Sequence, residues 1–237
     1  MRIPLASEDC TLDAGGLRVV WLTGVKPEES VALLTKYVEA KDFVQRKSHG
    51  LSEEALTAIA LHADASADRA FASFVAPGQP PELREKASFW LGAARGKSGL
   101  ALLQKMAKSD PTPHVREQVT LALSVSSESG ALPEMIRMAR EDPDAEVRGQ
   151  ALFWLAQKAG QKAESAITGA IQNDPDTEVK KKAVFALSQL PDDEGVPKLI
   201  EVAQTNKNLE VRKQAMFWLG QSEDPRALAF FEKVLSQ

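Results

Sequence analysis

Apolar residues recur along most of this chain with the period of an α-helix. Val147, Ala151, Trp154 and Leu155 fall at positions i, i+4, i+7 and i+8, which is one face of a helix. After a short turn, a second stripe of the same kind occupies Ala163, Ile167, Ala170 and Ile171. The pattern therefore predicts two consecutive amphipathic helices in this stretch.

The same pair of stripes is repeated every 32 residues from Leu83 to the C-terminus. Each copy has a valine or leucine, a small or branched residue four positions later, and then a leucine. These leucines are Leu91, Leu123, Leu155, Leu187 and Leu219. A fixed period of this length is typical of a solenoid, in which each unit buries its apolar face against its neighbours.

Turn residues separate the units. Asp110, Asp142 and Asp174 each precede a proline, and a residue before proline avoids the helical conformation. The second helix of each unit is therefore expected to end there, and in the next unit Asn206 and Asn208 supply turn chemistry without proline. We predict an all-α superhelix over residues 51–237, an array of about six helix pairs near residues 51–75, 82–108, 114–141, 146–172, 178–204 and 210–236.

Residues 1–50 do not follow the period. Cys10 to Leu22 reads as two short β segments around the Gly15-Gly16 turn, which predicts a small β-hairpin. A helix is expected to begin at Pro27. Because a lone hairpin is only marginally stable in water, we interpret this segment as a cap on the array or as the remnant of an upstream domain.

The repeat resembles the HEAT repeat, in the short bacterial variety named after phycobilisome lyases. The similarity lies in the Asp-Pro-Asp-x-Glu-Val-Arg/Lys runs at Asp142–Arg148 and Asp174–Lys180, and in the Ala-Leu or Trp-Leu steps near the helix ends. It covers Leu83 to Gln237, with a degenerate first unit reaching back to Leu51. The resemblance implies a HEAT-like solenoid, and many bacterial proteins of this kind lack an assigned activity.

Two columns of large residues recur in register and are interpreted as structural. Trp90, Trp154 and Trp218 alternate with Ala122 and Ala186 at one position of the first helix. Alternation of large and small residues fills a stacked core, whereas an aromatic row for stacking bases or a cofactor is the alternative.

The cation column is Arg84, Arg116, Arg148, Lys180 and Arg212. The resemblance implies that this cation bonds a loop aspartate, for which Asp144 and Asp176 are available. Lys180 cannot form the bidentate pair that arginine forms, so the junction there is expected to be looser. The alternative is a track of cations for phosphates.

No catalytic constellation stands out, and we predict neither enzymatic activity nor a cofactor or metal. His49, His62 and His114 are scattered, and the sequence lacks the His-Glu steps through which the HEAT-type deoxyhypusine hydroxylases bind iron. The net charge of −4 argues against nucleic acid, including the groove chemistry of the HEAT-like alkylpurine DNA glycosylases. No apolar run is long enough for a membrane span. The N-terminus has no signal-peptide core, which leaves cytoplasmic and secreted-precursor origins both open.

We therefore predict a non-catalytic scaffold that binds a protein or an acidic peptide on the concave face of the solenoid, and that is a monomer. The alternative is a lyase-like or chaperone-like subunit that holds a chromophore or a client protein. The candidate binding residues are four cations of the second helices, which are Lys105, Lys108, Arg137 and Arg140. Such a patch attracts acidic segments, although solvated helix faces also carry cations of this kind.

Overall fold

The computed structural model describes residue 16 and residues 23–44, 50–159 and 161–236. Two helices precede the array, α1 (Pro27–Thr35) and α2 (Ala40–Val44). Six helix pairs follow: α3 (Leu51–Ala60) and α4 (Ala65–Phe74), α5 (Pro81–Ala94) and α6 (Gly96–Ser109), α7 (Pro113–Val125) and α8 (Ala131–Glu141), α9 (Ala145–Ala159) and α10 (Gln161–Asn173), α11 (Thr177–Ser188) and α12 (Asp192–Thr205), α13 (Leu209–Gly220) and α14 (Pro225–Leu235). The prediction of a helical repeat array is confirmed.

The fold class that included a β-hairpin is wrong for the part of the chain that the structure describes, because those residues form helices and no strand. Of the segment assigned to the hairpin, residues 10–22, all but Gly16 lie outside the described residues. The apolar stripe that begins at Val31 instead places a helix at this end of the array. Helix α1 packs against α3 and α4, and α2 packs against α5.

The helix boundaries follow from capping and proline chemistry. Asp176, Asn208 and Asp224 each accept a hydrogen bond from the backbone N–H two positions later, at the starts of α11, α13 and α14. Pro81 and Pro113 occupy first-turn positions, where the missing N–H is not needed. The turn chemistry in the sequence therefore fixes where most units begin.

Successive first helices pack side by side and form the spine of the array. Helix α5 packs on α7, α7 on α9, α9 on α11 and α11 on α13, and each second helix from α4 to α12 lies against the first helices before and after it. The residues between them are fully buried, as for Leu91, Leu123, Leu155 and Leu187. One continuous apolar core thus runs through the units, as expected where no unit can bury its own face alone.

The three tryptophans pack against this core but are only partly buried. Their rings make edge-on contacts with the preceding phenylalanines, as between Phe153 and Trp154 with centroids 4.9 Å apart. Phe153 also stacks on Phe185, whose ring lies 4.9 Å from Trp218. The indole nitrogens of Trp154 and Trp218 are buried without a hydrogen-bond partner among the described residues, and the packing role of this column stays a prediction.

Arginines at the start of three first helices form buried bidentate ion pairs with the aspartate 26 residues later. Arg148 donates from Nε and Nη2 to both carboxylate oxygens of Asp174, at 2.8 and 2.9 Å. Arg84 pairs with Asp110, and Arg116 with Asp142, in the same geometry. Hydrogen bonding to the aspartates raises the pKa of Arg116 and Arg148, so these guanidinium groups remain charged.

Each of these arginines also reaches the preceding unit. Arg148 donates from Nη1 to the carbonyl oxygen of Asp142 at 2.9 Å, and Arg116 to that of Asp110 at 2.8 Å. Since Asp110, Asp142 and Asp174 follow α6, α8 and α10, Arg116 joins the ends of α6 and α8, and Arg148 joins those of α8 and α10. Arg84 donates to the carbonyl oxygen of Gln79 in the segment between α4 and α5. We refer to this series of contacts as the Arg–Asp ladder.

The aspartates expected from the sequence to pair with the arginines, Asp144 and Asp176, do not do so. They accept hydrogen bonds from the backbone N–H groups of Glu146 and Glu178 at the starts of α9 and α11. The partners are the aspartates before proline, whose extended backbone turns the carboxylate toward the arginine. The same carboxylates accept the N–H two positions later, as Asp142 does from Asp144 at 2.9 Å.

The tryptophan packing can be tested by truncation. Because the Trp154 indole is half-buried between flanking units, Trp154→Ala should lower the free energy of unfolding by about 3 kcal/mol, the low end for aromatic truncations in cores. Trp218→Ala, in the last unit, should cost less. Phe217→Ala removes a side chain that is 55% exposed and is the matched control. Denaturant unfolding in which all three variants are equally mild would contradict the packing role.

The ladder predicts a large penalty for breaking one pair. Asp174→Ala leaves the Arg148 guanidinium buried without a carboxylate, which should cost about 3–5 kcal/mol of unfolding free energy. Glu178→Gln removes an exposed partner of Lys181 and should change stability little. Thermal or urea unfolding that shows equal effects for both variants would mean that the buried pair contributes no more than a surface pair.

The last helix generates a prediction about association. Phe230 is 5% exposed and folds onto the core, whereas Leu228 and Leu235 are 63% and 85% exposed. We expect a monomer, so the sedimentation coefficient should be independent of concentration in the native chain and in Leu235→Glu alike. Concentration-dependent sedimentation that Leu235→Glu abolishes would show that this end pairs two chains.

Candidate functional site

Three of the four candidate cations stand exposed near the C-terminal ends of two second helices. Lys105 and Lys108 lie on α6 and Arg140 lies on α8, and among the described residues none of the three forms an ion pair. Lys108 and Arg140 occupy the last turns of their helices, where the helix dipole favours a cation. Their charges are therefore available to an incoming anion.

The fourth candidate, Arg137, forms an ion pair within the fold. It donates from Nε and Nη2 to Glu134 Oε1 at 2.8 and 2.6 Å, and the Glu134 side chain is only 7% exposed. Its Nη2 also lies 3.4 Å from the carbonyl oxygen of Ala107 on α6. Arg137 thus neutralises a buried acid and joins α6 to α8. We define the cationic patch by the remaining three residues, Lys105, Lys108 and Arg140.

A shallow cavity extends this patch toward the next unit. Its volume is about 300 Å³, and its walls include Arg140 on α8, Gly169 and Asn173 on α10, and Asp174 in the turn after α10. A Cβ atom at Gly169 would meet nothing within 4 Å, so the absence of a side chain there leaves the surface open. The second helices of units two to four therefore present one accessible face.

The Arg–Asp ladder is interrupted at the following junction. Lys180 and Asn206 occupy the positions of the arginine and the aspartate, and they are not hydrogen-bonded to each other. Lys180 is half-buried, and its Nζ instead donates to the carbonyl oxygen of Gln172 at 3.1 Å. Asn206 keeps the backbone contacts of an aspartate, since its Oδ1 accepts the N–H of Asn208 at 2.9 Å and its carbonyl accepts Arg212 Nη1 at 2.7 Å.

The interrupted junction is open. Among the described residues, α10 and α12 pack less closely than the other successive second helices of the array. A cavity of about 480 Å³ lies between them. Its walls are formed by Thr168, Ile171, Gln172, Lys180, Lys198, Glu201, Val202, Thr205, Asn206, Lys207 and Asn208. We call this space the junction cavity.

The junction cavity contains more cationic than anionic side chains. Lys198 Nζ lies 3.3 Å from Glu201 and 3.7 Å from Glu164, and hydrogen bonding to Glu201 raises the pKa of Lys198. Lys180 and Lys207 face no carboxylate within ion-pair distance in the part of the chain that the structure describes. The cavity therefore holds a surplus of positive charge and of N–H donors.

The sequence did not reveal two further features. Lys158 donates to the carbonyl oxygens of Leu123, Ser124 and Ser126 at the end of α7, and burial lowers the pKa of Lys158. A second cavity of about 480 Å³ lies beside Trp90 on the first helices. Neither could be found from the repeat, because both depend on how neighbouring units are offset.

The described residues give no sign of a metal centre or of a membrane span. No three histidine, cysteine, aspartate or glutamate side chains in that part of the chain are arranged to hold a metal ion. None of its helices combines the length and apolar character that crossing a bilayer requires.

Comparison with known proteins places the chain in a family. The profile for HEAT repeats matches residues 69–156 and 163–237, and no curated protein matches the sequence significantly. Among solved structures, human deoxyhypusine hydroxylase in complex with glycerol is similar over 87% of this chain and 90% of its own, with 17% identity and a TM-score of 0.45.

The complex of CpcE and CpcF of phycocyanin lyase from Nostoc sp. PCC7120 is similar over 92% of this chain and 81% of that chain, with 19% identity and a TM-score of 0.43. Both likenesses are too low to bear on function. The profile match, by contrast, covers most of the sequence and coincides with the helix pairs of the array. The chain belongs to the HEAT-repeat family.

Proposed function

We propose that this HEAT-repeat chain is a non-catalytic scaffold that binds an acidic segment of a partner protein along its second helices. The observation that carries the proposal is the cationic patch of Lys105, Lys108 and Arg140, whose charges are exposed and unpaired among the described residues. A solenoid offers an extended surface of this kind without a deep substrate pocket. The cationic patch would recognise the partner by its aspartate and glutamate carboxylates.

Electrostatics favours an acidic protein segment over nucleic acid. The chain as a whole carries a net charge of −4, so a polyanion several turns long would meet repulsion outside the patch. A short segment with a few aspartates or glutamates would meet only the local cations. Complementary charge of this type raises the association rate and selects the partner.

Arg137 is not expected to bind the acidic segment directly. Its guanidinium is occupied by Glu134, and replacing it with glutamate would place two carboxylates together in a buried position. Binding experiments on Arg137 would therefore measure damage to the fold as well as loss of charge.

A charge reversal tests the patch. Lys108→Glu/Arg140→Glu should weaken capture of the native partner, or of a glutamate-rich peptide, by at least about tenfold at low salt. The difference should shrink as salt is raised, because exposed charges are screened. Fluorescence anisotropy of a labelled peptide provides the affinity, and the thermal melt should stay close to that of the native chain.

The matched control is Lys86→Glu/Lys213→Glu, which makes the same change in charge on two first helices. Both lysines are exposed, with side chains 62% accessible, and both pair with surface glutamates. If the control weakens capture as much as the patch variant, the effect is one of net charge. If neither variant alters capture, the binding face lies elsewhere on the array.

A further inference from the structure

The junction cavity stands where the other junctions hold a buried carboxylate. At the three intact positions, an arginine holds an aspartate with two hydrogen bonds and joins successive second helices. At this junction Lys180 stands at the position of the arginine, and Asn206 stands at the position of the aspartate. Both halves of the pair have changed, and the space between α10 and α12 is open to solvent.

The change from aspartate to asparagine removes an anion and adds a donor. Asn206 Oδ1 is already used by the N–H of Asn208, whereas its Nδ2 has no hydrogen-bond partner within the described ranges. Lys180 uses one of its three N–H donors on Gln172, which leaves two. Lys207 adds a further ammonium group on the same wall.

The acceptors of the cavity are mostly occupied. Glu201, which lines the cavity, is paired with Lys198, and Asn208 Oδ1 accepts a hydrogen bond from the backbone N–H of Glu210. The cavity therefore contains unused N–H donors, including those of two lysine ammonium groups. A planar anion with two acceptor oxygens would accept hydrogen bonds from them. A carboxylate is the group that fills the equivalent place in the three other junctions.

We propose that the junction cavity binds one aspartate or glutamate side chain of the acidic segment, with Lys180, Asn206 and Lys207 as its donors. The carboxylate lies beside Asn206 and gives Lys180 the negative charge that Asp110, Asp142 and Asp174 give to the arginines of the ladder. This inference rests on the proposed function and assigns a distinct anchor to it. The patch and the cavity lie on the same series of second helices, with Gly169 between them.

Closing the cavity from within provides the test. Lys180→Arg/Asn206→Asp introduces the arginine and aspartate of an intact junction, so the variant should form its own ion pair and exclude the carboxylate. Its midpoint of thermal unfolding should rise. Its affinity for an octapeptide of alternating glutamate and serine, capped at both ends, should fall at least tenfold relative to the native chain.

A second variant removes the charges without filling the space. Lys180→Gln/Lys207→Gln should also lower the peptide affinity at least tenfold, with a melt close to native. Lys181→Gln/Lys213→Gln is the control with the same charge change on the outer faces of first helices. An octapeptide of alternating glutamine and serine should not bind the native chain.

The outcomes separate this inference from the proposed function. If the native chain and both cavity variants bind the glutamate peptide equally, while Lys108→Glu/Arg140→Glu does not, the anchor is refuted and the scaffold proposal stands. If only the cavity variants lose binding, the anchor stands and the patch is refuted. Failure of the native chain to bind the peptide refutes both. Inorganic phosphate that displaces the peptide at equimolar concentration refutes the assignment of a carboxylate site.

Discussion

The buried pair between an arginine and the aspartate 26 residues later determines how successive units sit against each other. A charge removed from water is stable only when its partner and its remaining hydrogen bonds are in place. Arg116 and Arg148 meet that condition by contacting a carboxylate of their own unit and a carbonyl of the unit before. The apolar core supplies the driving force for stacking, whereas these pairs fix the spacing of the second helices.

This division of roles explains why the surface changes character along the array. Where the ladder is intact, an arginine forms hydrogen bonds with the turns that follow two successive second helices. Where Lys180 and Asn206 replace the pair, the described residues join α10 to α12 by the partly exposed Lys198–Glu164 ion pair, and a cavity lies between the helices. The junction cavity therefore lies where two residues depart from the repeat.

Most of the fold could be predicted from the sequence because the same apolar pattern recurs in each unit, so each assignment rests on several copies. The helix pairs and the core leucines followed from the 3.6-residue and 32-residue periods. The aspartates that pair with the arginines could not be identified in this way. Asp142 and Asp144 lie two residues apart in the same turn, and only the conformation of the backbone determines which carboxylate points toward the arginine. The role of Arg137 was missed for a similar reason: Glu134 precedes it by one helical turn, but its burial depends on the neighbouring helices.

The alternation of tryptophan with alanine has a consequence for how such an array can change length. Trp90, Trp154 and Trp218 recur every second unit, with Ala122 and Ala186 between them. Deleting a single unit would bring two bulky layers or two small layers together, which would create either a clash or a void. Deleting or duplicating two adjacent units would keep the order of the layers intact. The natural building block of this solenoid is therefore 64 residues long, twice the unit that its helices define.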